Sequence, residues 1–112
     1  MAAARYDLVI DQGSDYAVEF TVSENNTVKN LTGYSARAQM RPSKTSSSVT
    51  GSFTCLIPTP SNGKITMSLT NSASAAIAAG TYHYDLEIFT ANDDYVSRLL
   101  FGTATMTQEV TR

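Results

Sequence analysis

The chain predicts an all-β fold: a two-sheet antiparallel sandwich of about seven or eight strands with one short helix. Three observations carry that prediction. Apolar and polar residues alternate along much of the length, turn-forming clusters separate the alternating runs, and a single Ala-rich stretch breaks the period. The 112 residues suit one compact domain spanning 1–112, with no evident repeat or linker.

In chain order, "RYDLVI" reads as a short strand and "DQGS" as a turn in which Gly13 takes a positive φ. In "DYAVEFTV", Tyr16, Val18, Phe20 and Val22 share one face of a strand. The polar "SENNTVKN" reads as a turn closing a hairpin between that strand and the next. In "LTGYSARAQMR", Tyr34, Ala36, Ala38 and Met40 face one way, and Ser35, Arg37, Gln39 and Arg41 the other. Pro42 cannot donate to a ladder and ends this strand.

"SKTSSS" is a loop by composition, and "VTGSFTCLI" is a weaker strand with an irregularity expected at Gly51. "PTPSNG" turns the chain into "KITMSLT", whose Ile65, Met67 and Leu69 share a face. "NSASAAIAAG" has helix formers, a cap in Asn71 or Ser72, a stop in Gly80, and Ile77 as its anchor to the core. The strand at 81–90 then buries Tyr82, Tyr84, Leu86 and Ile88. "TANDD" turns the chain into a long last strand, with a break expected near Gly102.

Composition narrows the function. A net charge of −2 with eight scattered basic residues lacks the dense positive surface of a nucleic-acid binder. No apolar run is long enough to span a membrane, and the N-terminal stretch lacks a signal peptide's apolar centre, so no secretory export is expected. "NNT" at Asn25 and "NLT" at Asn30 match a glycosylation pattern that matters only in a secretory pathway. Neither a P-loop nor a dinucleotide-binding glycine pattern occurs.

The residues with most chemical potential are His83, Asp85 and Glu87, which alternate along one strand as a metal or acid/base cluster would. His83 is the only histidine, so carboxylates would have to complete any zinc site. The opposite face of the same strand is bulky and apolar. The favoured reading therefore turns His83, Asp85 and Glu87 to solvent, in phase with Arg37, Gln39 and Arg41 for cross-strand pairing. Cys55 sits in the apolar "FTCLIP" and reads as a small buried residue rather than the partner of His83 in a catalytic dyad. No G-x-S-x-G nucleophile turn is present. Asp93 and Asp94 read as a polar hairpin tip before they read as a calcium site, which needs six or more oxygens. No enzyme activity, cofactor or metal is expected.

The sandwich takes on an immunoglobulin-like character at Gly80-Thr81-Tyr82-His83-Tyr84. There Tyr82 has the spacing of the tyrosine that ties down a strand corner, and Tyr84 stands where such domains place a cysteine. Over most of its length the sequence resembles small virion-associated structural proteins of tailed bacteriophages. The likeness rests on "DLVIDQGSDYAVEFTV", "NLTGYSARAQMR", "NGKITMSLTNSASAAIAAGTYHYDLEI" and "VSRLLFGTATMTQEVTR". It implies an immunoglobulin-like β-sandwich serving in the tail, baseplate or fibre attachment region, or on the capsid surface as a decoration protein. Such a protein is made in the host cytoplasm and assembles in many symmetric copies with other virion proteins. It implies no catalytic residues, and Gly33, Tyr34, Gly80 and Tyr82 become fold-making motif residues.

Candidate assembly contacts are the "SKTSSS" loop and the two chain ends, with Gln108, Glu109, Val110, Thr111 and Arg112 expected to extend onto a neighbour. A carbohydrate- or receptor-binding module is the alternative, since surface carbohydrate is a conceivable partner. Such a site wants exposed aromatic rings. The chain has no tryptophan, and only Tyr95 and Phe89 are good candidates; both are expected at strand ends near the core.

Overall fold

The alternating runs become strands. A computed structural model describes residues 3–111. The strands are β1 (Ala4–Arg5), β2 (Leu8–Asp11), β3 (Tyr16–Thr21), β4 (Ser23–Glu24), β5 (Thr27–Val28), β6 (Ser35–Arg41), β7 (Gly51–Leu56), β8 (Lys64–Leu69), β9 (Gly80–Phe89) and β10 (Val96–Thr107). One short helix, α1 (Asn71–Ala75), lies between β8 and β9.

The fold is all-β, but its main sheet is continuous. The strand order is β1-β10-β9-β6-β7-β8-β3, with β2 also paired to β10. β7 carries the ladder from one half to the other: Phe53 pairs with Ala38 of β6, whereas Thr54, Cys55 and Leu56 pair with β8. Because one strand belongs to both halves, the eight strands form a curled half-barrel rather than the two separate sheets expected. Its two ends, β2 and β3, are joined through the turn at 12–15, where Gly13 has φ +85.

Pairing departs from the expected hairpin. β3 pairs with β8, not with β6. The polar segment after β3 makes its own two-stranded hairpin, β4–β5, with Asn25 and Asn26 both at positive φ as a tight hairpin turn requires. β1 and β2 run parallel to β10. The irregularity in β10 falls between Arg98 and Leu100 rather than at Gly102. Gly102 has a different role. A Cβ there would lie 2.4 Å from the Tyr6 carbonyl oxygen and 2.7 Å from Asp7 Oδ1, so the crossing between β1 and β2 needs a residue without a side chain.

The core follows the period-two faces. Leu8 and Ile10, Ala38 and Met40, Ile65, Met67 and Leu69, Tyr84, Leu86 and Ile88, and Ala104 and Met106 are all buried. Ile77 is buried as expected. The helix differs at both ends from the sequence expectation: Thr70, not Asn71 or Ser72, is the N-cap, its Oγ1 accepting the Ala73 N–H at 3.2 Å. Ala76 ends the helix in ordinary right-handed geometry, and Gly80 instead opens β9. Ser74 is fully buried and ties the helix to the β2–β3 turn, donating to Ser14 O at 2.8 Å and accepting from Gly13 N at 3.0 Å.

Candidate functional site

β9 lies between β6 and β10, and its register decides what its outward side chains meet. Arg41, His83 and Thr103 stand in one row across the three strands; Gln39, Asp85 and Phe101 form the next, and Arg37, Glu87 and Arg98 the third. The alternation that buries Tyr84, Leu86 and Ile88 leaves His83, Asp85 and Glu87 half-buried on the outer face. Their partners on β6 are those the matching phase predicted. Arg37 Nε bonds Glu87 Oε1, and Arg37 Nη1 reaches Asp93 Oδ1 at 3.3 Å. The Glu87 hydrogen bond, then the Asp93 one, hold the guanidinium more firmly in its charged form. Arg37 also stacks on the Phe89 ring at 4.2 Å, which covers that aromatic face.

Around Asp85 the outer face sinks into a hollow of about 190 Å³ lined by Gln39, Arg41, Lys44, His83, Arg98 and Phe101, among others. Burial pushes the Asp85 carboxyl up, reinforced by the neighbouring Glu87 and opposed by Arg98 and Arg41. Arg41 is tethered, Nη1 to Ser46 O and Nη2 to Gln39 Oε1, both at 3.0 Å. The first of these bonds pins the "SKTSSS" loop beside the hollow. Lys44 Nζ lies over the Phe101 ring at 5.9 Å. Among the described residues no group of three or more His, Cys, Asp or Glu is placed to hold a metal ion.

The other candidates are dispersed. Cys55 lies opposite Met67 on the β7–β8 side, its Sγ 3.9 Å from Phe53 O, whereas His83 lies between β6 and β10. The thiol is half-buried against the core, and burial pushes it up to about 11. Asp93 serves Arg37. Gly33 takes φ +87 in the turn closed by Tyr34 N–H to Leu31 O at 3.0 Å, a position glycine fills without strain. Tyr82 Oη donates to Ala78 O at 2.7 Å, four residues upstream. Tyr95 departs from expectation: just after the 3₁₀ turn Ala91–Asp93 it is 47% exposed, and its ring meets Tyr34 edge-on at 5.8 Å.

The C-terminal segment divides in two. Gln108 Nε2 and Glu109 N both donate to Gln12 Oε1, at 3.2 and 3.0 Å, so this part is bound to the chain's own β2–β3 turn rather than free to reach a neighbour. Val110 is 86% exposed and Thr111 is exposed, while Arg112 lies outside the described residues. Among the described residues no helix is long and apolar enough to cross a membrane.

The hollow escaped sequence reasoning because Arg41, Lys44 and Arg98 converge only through strand register and the bulge after Arg98. The outward phase of Arg41 was the one signal for it. No protein-family model matches the chain, and no curated protein matches its sequence.

Proposed function

We propose that this is a non-enzymatic structural protein of a tailed-bacteriophage particle, a domain that assembles with other virion proteins in the tail, baseplate or fibre attachment region. The capsid surface is the alternative location. The immunoglobulin-like reading belongs to this proposal. It is supported by the first strands running parallel to the last one and by the Tyr82–Ala78 bond, which has the short upstream reach expected of a tyrosine corner.

The observation that carries the assembly role is the open ladder. Among the described residues β3 pairs only with β8, and β1 and β2 only with β10, so each end of the sheet presents an unpaired edge. Exposed apolar side chains accompany the N-terminal edge, Tyr6 at 46% and Val9 at 65%, and Val110 follows β10. Unpaired edges with apolar side chains are the features a neighbouring chain extends or covers.

The test is incorporation. Purified particles should contain the protein at a fixed stoichiometry: three-, six- or twelvefold for a tail or baseplate part, hundreds of copies for a capsid decoration. Removing residues 110–112, which spares the Gln12 contacts, should lower that copy number while the domain stays folded. Absence of the full-length protein from particles refutes the proposal.

A further inference from the structure

We propose that the hollow on the outer face of β6, β9 and β10 is a docking site for an acidic polypeptide segment of a partner protein. The inference rests on the assembly reading and names the chemistry of one contact.

The lining carries Arg41, Lys44 and Arg98 against the single carboxylate of Asp85. Among the described residues the Arg98 side chain makes no hydrogen bond or close ion pair and feels Asp85 only through space, and the Lys44 ammonium meets only the Phe101 ring. Two cations thus line a recess with their donors unused, an arrangement that can receive a carboxylate. Asp85 at the same place offers an acceptor, which a backbone N–H adjacent to an acidic side chain would meet. Arg41 contributes position as well as charge, since its bond to Ser46 O holds the loop that carries Lys44. The same features disfavour other ligands. Lys44 covers the Phe101 face that a sugar ring would stack on.

The test is an NMR titration of the isotope-labelled full chain with the peptide acetyl-Gly-Asp-Asp-Gly-amide, its Asn-Asn counterpart, and methyl glucuronide. The acidic peptide should give saturable shifts at the amides of His83, Asp85, Phe101 and Thr103. The Asn-Asn peptide should bind at least about tenfold more weakly, as expected when a charge-assisted pair is lost. The Lys44→Ala/Arg98→Ala protein should lose at least about tenfold in affinity with an otherwise native spectrum, because neither side chain makes a hydrogen bond that holds the fold. Equal binding of the two peptides, unchanged affinity in the double variant, or tighter binding of the glucuronide overturns the proposal. A protein that enters particles but ignores the acidic peptide removes this inference alone; one absent from particles removes the assembly reading.

Discussion

The Tyr84 hydroxyl, from within the core, donates to the Tyr6 carbonyl oxygen at 2.5 Å. This bond spans 78 positions and fastens the crossing between β1 and β2 to the middle of the sheet. Tyr6 N–H meanwhile donates to Phe101 O at 2.9 Å, and Thr103 N–H to Asp7 Oδ1 at 3.0 Å. Burial pushes the Tyr84 phenol well above its ordinary range, so it remains a donor throughout the working pH range. Tyr84→Phe removes the donor and leaves the carbonyl short of a partner. Denaturant unfolding should show a loss of about 1–3 kcal/mol. Hydrogen exchange should rise first at Tyr6 and Thr103.

At the same crossing, Gly102→Ala sets a methyl group against the Tyr6 carbonyl and the Asp7 carboxylate. The carbonyl belongs to the backbone and cannot swing aside as a side-chain end can. The expected cost is about 1–3 kcal/mol, as for overpacking elsewhere, read from the same unfolding curves. Wild-type stability in the variant would mean that β1 is not seated on β10 as described.

Cys55 offers a chemical readout of burial. With the thiol pushed up to about 11 from 9.0, the native protein holds about a hundredfold less thiolate than the unfolded chain at a given pH near 8. Iodoacetamide labelling of native protein at that pH should be slower than labelling in urea by about that factor or more. Comparable rates would place Cys55 in solvent.

Asp85 gives a pH dependence of defined sign. Its carboxyl is raised in the folded state, so its contribution to stability is fully present below the unfolded value and is lost as pH rises through the folded one. Asp85→Asn abolishes that loss. The stability of the variant relative to wild type should therefore increase between about pH 3 and 7. Asp7 runs the other way. The Thr103 N–H holds its carboxyl low, so Asp7→Ala should lose stability relative to wild type over the same rise in pH.

Much of this arrangement was legible in the sequence because side-chain alternation depends only on local spacing. Tyr84, Leu86 and Ile88 point inward, and Glu87 and Arg37 both point outward, from phase alone. Phase says nothing about which strand is the neighbour, so the pairing of β3 with β8 and of β1 and β2 with β10 was hidden. Short-range competition among capping residues hid Thr70, since three adjacent polar residues can each cap a helix and tertiary contacts select one. Here Asp15 Oδ1 accepts the Asn71 N–H at 2.7 Å, which fixes the residue after the cap. The basic hollow depends on Arg41, Lys44 and Arg98 being brought together by register, and no window of the chain contains all three.

β9 lies between β6 and β10 with His83, Asp85 and Glu87 turned outward. Interstrand nuclear Overhauser effects read this register. Backbone contacts should pair His83 with Thr103 and Arg41, and Asp85 with Phe101 and Gln39. A ladder shifted by one residue, which would turn His83 and the two carboxylates into the core, would contradict it.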